Sequence, residues 1–348
     1  MSPHVVAPLD LAGRHRESLQ RVWVESMRAF VTGGGGFLGS LVVRRLVERG
    51  VEVEALARSE PAAAVITRLG ARPLRGDITD PDVLRVVTRG ADAVYHVAGA
   101  YRIGIKESEH EAMFKTNVDG TTLVLDAAVA ASVPRIVYVS TLAVFGNTHG
   151  TVVDETYRRP DRDFLSYYDA TKYMAHRIAV ARAAEGAPLV IVMPGAVYGP
   201  GDHSEVGVQI EQARAGKYRV RAFPRLGLTM SYVDDVSEGI VLAGERGVPG
   251  ESYVLGGEVT RLGVVLEKAA VLSGRRPPRV TVPTTAIKAA RPLGPLLGRF
   301  TGVGPNLHEA IRASDGVTYW AKSDKATADL GYAPRTLEQG LRDLLAAG

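Results

Sequence analysis

The chain from residue 27 to about residue 193 alternates between short apolar runs and longer segments with apolar residues at helical spacing. Short, largely apolar runs are typical of strands in a buried parallel sheet. Six of them predict strands, at residues 27–31, 51–57, 71–75, 91–97, 135–139 and 188–193. The intervening segments predict helices, at residues 37–49, 60–69, 81–89, 107–131 and 164–184. This alternation predicts an α/β fold of the Rossmann type, with a doubly wound parallel sheet.

A glycine-rich turn joins the first predicted strand to the first predicted helix. Gly33, Gly36 and Gly39 form the pattern Gly-x-x-Gly-x-x-Gly, and Phe37 and Leu38 begin the helix. In a dinucleotide-binding fold, these glycines permit a tight turn, the approach of a phosphate and close packing of helix on strand. The backbone N–H groups at the start of the helix favour a pyrophosphate. The alternative is a loop that merely turns, and the flanking strand and helix favour the cofactor.

The end of the second predicted strand bears on which dinucleotide is bound. Arg58 and Ser59 stand where NAD-binding folds usually carry an acid that bonds the ribose hydroxyls. A guanidinium suits the 2′-phosphate of NADP instead. The sequence therefore predicts NADP, with NAD as the alternative cofactor and a solvated surface arginine as the alternative role for Arg58.

Small and hydroxyl-bearing residues follow the later strands. They are Ala98-Gly99-Ala100, Ser140-Thr141 and Pro194-Gly195. The carboxyl ends of parallel strands share one edge, where ligands bind, so these segments are expected to lie together. Asp77, after the third strand, could accept a hydrogen bond from an adenine amino group. His96 is interpreted as a packed histidine at a strand end rather than a functional one.

The strongest candidate for chemistry is Thr141 with Tyr168 and Lys172. Tyr-x-x-x-Lys on a predicted helix puts both side chains on one face, and Thr141 ends the preceding strand. A neighbouring ammonium is expected to lower the pKa of the tyrosine toward working pH, so that it can exchange a proton with a carbonyl or alcohol oxygen. The alternative is a chance pattern in an ordinary helix. Tyr167 is five residues from Lys172 and faces elsewhere.

Composition narrows the class of protein. The 348 residues are 46% hydrophobic and 23% charged, and the net charge of +4 is spread without a basic run, so nucleic acid is not implied. The chain has no cysteine, which excludes thiol chemistry and disulfides and permits a reducing compartment. Its eight histidines show no ligand spacing, so no metal site is expected. No apolar stretch is long enough to span a membrane, and a cytoplasmic location is predicted.

The division of the chain follows from the loss of the strand–helix rhythm near residue 194. Residues 1–26 are predicted to be an N-terminal extension, 27–193 a dinucleotide-binding domain and 194–348 a smaller substrate-binding α/β lobe. The last elements of the large domain are expected to interleave with this lobe around residues 230–255. They include a strand from Met230 that runs into an Asp-capped helix at 235–245. The final predicted helix lies near 335–346.

Several motifs in order give this chain a resemblance to a known family. They are Thr32 to Gly39, Gly76 to Asp80, Val94 to Gly99, Thr116 to Thr121, Tyr168-x-x-x-Lys172, Pro194 to Asp202 and Tyr232 to Val236. They resemble the extended short-chain dehydrogenases/reductases of the NAD-dependent epimerase/dehydratase family, over residues 27–345. Arg58, Val97 to Arg102 and Gly250 to Glu258 are most similar to the dihydroflavonol-4-reductase-like branch, which includes the hopanoid-associated sugar epimerases.

The resemblance implies roles for individual residues. Tyr168 would donate or accept the proton, with Thr141 and Lys172 as its catalytic partners. The implied cofactor contacts are Gly33, Gly36, Phe37, Leu38, Gly39, Arg58, Ser59, Asp77, Ile78, Ala98, Gly99, Ala100, Asn117, Ser140, Tyr168, Lys172, Pro194, Gly195 and Val197. The expected substrate contacts are Tyr101, Arg102, Phe145, Tyr198, His203 and Arg225. The family also implies a homodimer through the two long helices.

The expected activity is hydride transfer between NADP(H) and a ketone or secondary alcohol of medium size. Two departures from the family pattern bear on the alternatives. Thr141-Leu142-Ala143 lacks the Thr-Asp-Glu run of the 4,6-dehydratases, which counts against dehydration. No asparagine lies between Pro194 and Val197 to hold a sugar diphosphate, which weakens epimerisation. A sugar epimerase that recycles a bound cofactor and a non-catalytic cofactor-sensing regulator stay open as alternatives.

Overall fold

The computed structural model describes residues 27–160, 163–277, 280–289 and 306–347. The predicted N-terminal extension therefore lies outside the described residues. Seven parallel strands, numbered in chain order, form a large sheet in the order β3-β2-β1-β4-β5-β6-β9. Their bounds are β1 Arg28–Thr32, β2 Glu52–Ala57, β3 Arg72–Arg75, β4 Ala93–His96, β5 Ile136–Val139, β6 Leu189–Pro194 and β9 Ser252–Leu255. The prediction of a doubly wound parallel sheet is confirmed.

Two helical layers cover this sheet. One consists of α1 Phe37–Glu48, α2 Glu60–Arg68, α8 Val233–Arg246 and α12 Asp324–Leu330. The other consists of α3 Pro81–Val87, α5 Gly120–Ala130 and α6 Tyr167–Ala184. Successive strand residues point to opposite faces, so Val31 packs in the first layer and Phe30 in the second. The apolar strands of the sequence are thus explained by burial on both faces.

Strand order reverses next to β1, which has β2 on one side and β4 on the other. Crossovers leave the sheet in opposite directions from this point, which opens a crevice at the carboxyl edge. The ends of β1 and β4 are paired there, with Thr32 opposite His96. The glycine turn that follows β1 therefore lies beside the segment that follows β4.

A smaller lobe follows β6 in the chain. Its sheet consists of β7 Ala196–Tyr198, β8 Gly227–Tyr232, β10 Glu258–Arg261 and β11 Thr318–Tyr319. Its helices are α7 Glu205–Arg214, α9 Leu262–Leu272, α10 Thr284–Ala289, α11 Leu307–Ser314 and α13 Leu337–Ala346. Between these elements the chain returns to the large sheet through α8 and β9. Within the described ranges, no helix is long and apolar enough to cross a membrane.

Two predicted helices differ from the structure. The segment predicted as one helix over 107–131 is a 3-10 turn at Glu107–Glu109, α4 at His110–Phe114, a π turn at Lys115–Asp119 and then α5. A π turn inserts an extra residue and rotates the side chains around it, an effect that apolar periodicity does not reveal.

The predicted Asp cap at 235–245 is also wrong. Helix α8 begins at Val233, so Asp234 and Asp235 lie in its first turn rather than at its cap. Asp234 instead pairs with Arg44 of α1, and Asp235 pairs with Arg335. These ion pairs join α8 to the helix after the glycine turn and to the C-terminal segment.

Candidate active site

The glycine turn has little room for side chains. Gly33 has a φ of +75°, and a Cβ atom there would lie 2.8 Å from the backbone nitrogen of Ala98. A Cβ atom on Gly39 would overlap the carbonyl oxygen of Gly33. A Cβ on Gly36 would instead lie 3.3 Å from that oxygen, with no closer atom among the described residues. The space over Gly36 is thus a cradle that a methyl group would fill.

The first turn of α1 faces this space. Among the described side chains, none caps the helix, and its N-cap residue is Gly36. The first N–H groups of a helix have no intrahelical partner, and they carry the positive end of the helix dipole. Phe37 and Leu38, in this turn, are half-buried. Open N–H groups over a glycine cradle fit the pyrophosphate of a dinucleotide.

We expect Gly36→Ala to weaken dinucleotide binding while sparing the fold. The added methyl group would occupy the cradle, and its nearest described neighbour would be 3.3 Å away. The Kd for NADPH, measured by fluorescence titration, should rise at least ~10-fold, whereas the Tm should fall by no more than about 3 °C. Gly39→Ala is the matched control, because its methyl group overlaps backbone and should lower the Tm itself. Unchanged NADPH affinity in Gly36→Ala would contradict the assignment.

The end of β2 presents a cation at the same edge. The Arg58 side chain is 68% exposed, and its guanidinium lies 3.9 Å from the Asp77 carboxylate. Asp77 Oδ1 accepts hydrogen bonds from the backbone N–H and the hydroxyl of Thr79. Ser59 accepts a hydrogen bond from Ala62 N and caps α2. Arg58 is therefore open to an anion, while the polar atoms of Asp77 and Ser59 already have partners.

Asn117 connects two parts of the site. Its Oδ1 accepts a hydrogen bond from Ala100 N at 2.7 Å, and its Nδ2 donates to Ala100 O and to Thr171 Oγ1, both at 3.0 Å. The π turn at Lys115–Asp119 carries this buried side chain. The segment after β4 is thereby tied to α6, and the exposed Gly99 is held at the edge. The amide is fully engaged within the protein, and no local pattern in the chain points to its partner Thr171.

Tyr168 lies beside Thr141, as their positions at the sheet edge and on α6 predict. Burial raises the pKa of Tyr168 to about 12, and a hydrogen bond with Thr141 opposes this rise. The sequence-based expectation that Lys172 lowers this pKa toward working pH is wrong for this structure. The reason is that desolvation penalises the phenolate, and the charge of Asp169 raises the pKa further. Tyr168 is thus a protonated phenol at neutral pH.

The Lys172 ammonium points toward β5. Its Nζ donates to the carbonyl oxygen of Val139 at 3.0 Å and to the hydroxyl of Tyr138 at 3.2 Å. Burial lowers the pKa of Lys172 to about 8. A Cβ atom placed on Gly99 would lie 3.9 Å from this Nζ, so the ammonium sits beneath the open edge. The sequence did not single out Tyr138, because a tyrosine inside a buried strand carries no local signal of function.

The two histidines nearest the site are internal. His96 Nδ1 lies 2.7 Å from Thr32 Oγ1 and its Nε2 lies 3.0 Å from Thr121 Oγ1. Burial lowers its pKa to about 3, and the charge of Lys172 adds to the effect. The interpretation of His96 as a packed histidine is confirmed. Burial also lowers the pKa of His176, to about 4. Its Nδ1 lies 3.0 Å from Ser140 Oγ, within hydrogen-bond distance.

The edge continues into the smaller lobe through the segment after β6. Pro194 is buried at the end of that strand, and Val197 is half-buried in β7. A Cβ atom on Gly195 would meet the hydroxyl of Ser231 at 2.7 Å, so this position also requires glycine. Ile78, expected at the adenine, has its side chain packed toward Gly120.

The predicted substrate contacts separate into two groups. Tyr101 is 44% exposed, and its ring stands edge-on to that of Tyr168, with centroids 4.9 Å apart. Although the residue as a whole is exposed, its hydroxyl is desolvated and lies next to the Glu205 carboxylate, and both effects raise the pKa of Tyr101. This contact places α7 close to the same site. Arg102, which pairs with Glu109, is exposed, as are His203 and Arg225.

Phe145 and Tyr198 form the second group, because both are core residues. Phe145 is 5% exposed and packs edge-on against Tyr157 in the layer beneath β5. Tyr198 is 1% exposed and donates a hydrogen bond to the carbonyl oxygen of Leu337. This burial counts against their predicted contact with substrate, which stays a prediction. Aromatic residues near a binding loop are large enough to be drawn into the core, and sequence position does not reveal this.

No cluster of three metal-ligating side chains occurs in the part of the chain that the structure describes. The candidate site consists of the glycine cradle, Arg58, Thr141, Tyr168 and Lys172. These groups lie along the carboxyl edge of one sheet, at the ends of β1, β2 and β5 and on α6.

Comparisons with known proteins extend this description. The chain is 35% identical to the 4-hydroxy-2-methyl-3-oxo-4-farnesyl-3,4-dihydroquinoline-1-oxide ketoreductase of Stigmatella aurantiaca, over 92% of this chain and 97% of that protein. It is 32% identical to the 2-alkyl-3-oxoalkanoate reductase of Stenotrophomonas maltophilia (strain K279a), over 92% and 99%. Both similarities cover the large sheet and the smaller lobe.

Solved structures share the fold. The crystal structure of gox2253 matches with a TM-score of 0.77 and 33% identity, over 91% of this chain and 96% of that one. MoeE5 in complex with UDP-glucose and NAD matches with a TM-score of 0.71 and 24% identity, over 92% and 97%. A family model described as the NAD dependent epimerase/dehydratase family matches residues 29–256. The resemblance stated from the motifs is confirmed, and the chain belongs to the NAD-dependent epimerase/dehydratase family of extended short-chain dehydrogenases/reductases.

Proposed function

We propose that this protein is an NADP(H)-dependent reductase that converts a ketone to a secondary alcohol, with Tyr168 as the proton donor. The observation that carries the proposal is the protonated phenol of Tyr168 beside Thr141, at the edge of the sheet that holds the glycine cradle. Because burial raises the pKa of Tyr168 to about 12, the phenol carries its proton at neutral pH. This is the protonation state that a general acid needs when a carbonyl is reduced.

Each residue of the candidate site has a separate role in the proposed reaction. The dinucleotide supplies a hydride to the carbonyl carbon when it is bound. Tyr168 gives its phenolic proton to the carbonyl oxygen, which becomes the hydroxyl of the product. Thr141 orients that oxygen by a second hydrogen bond, and the Lys172 ammonium, which lies beneath the open edge at Gly99, would hold the dinucleotide. The proton that restores Tyr168 comes from solvent.

The relatives suggest the chemical class of the substrate. Two of them are named for the reduction of 3-oxo compounds that carry an alkyl or farnesyl group. The exposed ring of Tyr101, edge-on to Tyr168, offers an apolar surface next to the reacting carbonyl. We propose a ketone of medium size with an apolar substituent as the substrate.

The test is a panel of such ketones with NADPH and NADH, followed by absorbance at the nicotinamide band and by product analysis. Stoichiometric consumption of NADPH with formation of alcohol supports the proposal. Conversion of a sugar nucleotide without net consumption of cofactor would show an epimerase instead. Tight cofactor binding with no turnover on ketones or sugar nucleotides would show a non-catalytic regulator.

We propose that Arg58 gives the protein its preference for NADPH over NADH, and we expect the variant Arg58→Gln to lack this preference. The exposed guanidinium would bond the 2′-phosphate of NADPH, which NADH lacks. The Kd for NADPH should rise about 10-fold, since a hydrogen bond to a charged group at an exposed site is partly screened. The Kd for NADH should stay unchanged.

Arg68→Gln is the matched control for this prediction. Arg68 is an exposed arginine at the end of α2, and its substitution removes the same charge as Arg58→Gln does. Isothermal titration calorimetry of both variants with both dinucleotides separates the loss of a local contact from the loss of one positive charge anywhere on this surface. Equal weakening of NADPH binding in the two variants would refute the role of Arg58.

A further inference from the structure

We propose that Tyr138 is a positioning residue of this site, which holds the Lys172 ammonium in its charged form through the phenolic oxygen. The inference goes beyond the proposed reductase activity, since it concerns a residue outside the Thr141, Tyr168 and Lys172 group. Its main test requires neither turnover nor bound cofactor.

The contact between the two residues is direct. Lys172 Nζ donates to the Tyr138 hydroxyl at 3.2 Å, and the same nitrogen lies 5.0 Å from the centroid of the Tyr138 ring. Val139 O accepts a second hydrogen bond at 3.0 Å. Both acceptors belong to β5, so two N–H bonds of the ammonium point at this strand and the third remains for a ligand.

The Tyr138 ring has a fixed position. It is fully buried, and His96 stacks on it with centroids 5.5 Å apart and an interplanar angle of 21°. His96 is itself held at both ring nitrogens by Thr32 and Thr121. Packing on this scale fixes the phenolic oxygen relative to β5, and a fixed acceptor requires no reorganisation when the ammonium is charged.

The titratable groups around Lys172 are neutral, which makes the Tyr138 oxygen important as an acceptor. The titratable side chains that bond Lys172 or feel its charge are Tyr138 on β5, His96 on β4 and His176 on α6. Tyr168 lies one turn before it on α6. Burial keeps both histidines neutral and both phenols protonated at neutral pH. None of these four groups supplies a negative charge, so the ammonium depends on hydrogen-bond acceptors against its desolvation.

The test measures the pKa of Lys172 directly. Full-length protein labelled with ¹³Cε-lysine is titrated by NMR, and Lys172→Arg identifies the resonance. In the wild type, we expect a transition at about pH 8. In Tyr138→Phe, which keeps the ring and removes only the oxygen, the transition should fall by about one pH unit, a tenfold loss in proton affinity.

The matched control is Tyr95→Phe. Tyr95 is an equally buried phenol on β4, in the opposite layer from Tyr138, and the described contacts of Lys172 do not include it. Its removal should leave the Lys172 transition in place. A Tyr138→Phe transition equal to that of the wild type, or an equal fall in Tyr95→Phe, would overturn the proposal.

Two further measurements test the contact between Tyr138 and Lys172. If Tyr138→Phe does not fold, ¹³Cζ-tyrosine labelling of the wild type replaces it. The Tyr138 resonance should then follow the Lys172 transition, and a flat Tyr138 resonance would contradict the contact. Where ketone turnover is established, the fall in rate at alkaline pH should also shift downward by about one unit in Tyr138→Phe, with no change in Tm to account for it.

Discussion

Tyr168→Phe should reduce ketone turnover by about 10³-fold while leaving the affinity for NADPH within about twofold. The variant keeps the ring, including its edge-on contact with Tyr101, and removes only the hydroxyl that Thr141 bonds. A positioned general acid commonly contributes 10²–10⁴-fold to the rate, and the buried phenol is the donor proposed here. The rate is followed as loss of NADPH absorbance with a substrate from the ketone panel.

The neighbouring Tyr167→Phe is the control for this experiment. Its ring stacks on His110 with centroids 3.8 Å apart, and phenylalanine preserves that stack. Its backbone N–H, which bonds Glu309, is unaffected by the substitution. We therefore expect nearly full activity from Tyr167→Phe. Retained turnover in Tyr168→Phe would refute the mechanism, and loss in both variants would point to a general disturbance of α6.

Arg159→Met should lower the free energy of unfolding by about 3–5 kcal/mol. Arg159 Nη1 lies 2.9 Å from Asp169 Oδ1, and the two side chains are only 4% and 2% exposed. The guanidinium also packs over the ring of Phe164 at 4.9 Å. Removing the cation deletes this ion pair while the Asp169 carboxylate stays buried, and the cost of a desolvated charge exceeds that of the lost contact itself.

Urea denaturation of the wild type and three variants measures this effect. Arg158→Met is the control, because Arg158 is exposed and, among the described residues, its guanidinium donates to the backbone carbonyls of Glu155 and Tyr157. It should lose less than about 1 kcal/mol. The double variant Arg159→Met with Asp169→Asn removes both charges and should recover part of the loss. A small loss in Arg159→Met, similar to that of Arg158→Met, would contradict this account of the pair.

The large sheet and the cofactor turn could be predicted from the sequence because their signals are local. Buried strands must be apolar on both faces, and a strand-to-helix turn around a phosphate must be glycine at fixed spacings. Gly33 and Gly39 bear this out, since neither position has room for a side chain. Tyr168 and Lys172 could be paired for the same reason, because four residues is one turn of α6.

The environment of that pair could not be predicted in the same way. The Lys172 ammonium points at Tyr138, and Asn117 is turned by a π turn to bond Ala100 and Thr171. Each of these contacts joins residues far apart in the chain, so no local pattern records it. The predicted direction of the Tyr168 pKa shift was wrong for the same reason, because desolvation depends on what packs around the phenol.

By itself, the sequence determined the order of strands and helices, the family and which residues are the candidates for chemistry. The tertiary structure alone decided which candidates reach the site. It placed Phe145 and Tyr198 in the core and left Tyr101 exposed beside Tyr168. The physical reason is that residue type and spacing fix local geometry, whereas burial, hydrogen-bond partners and pKa are set by long-range packing.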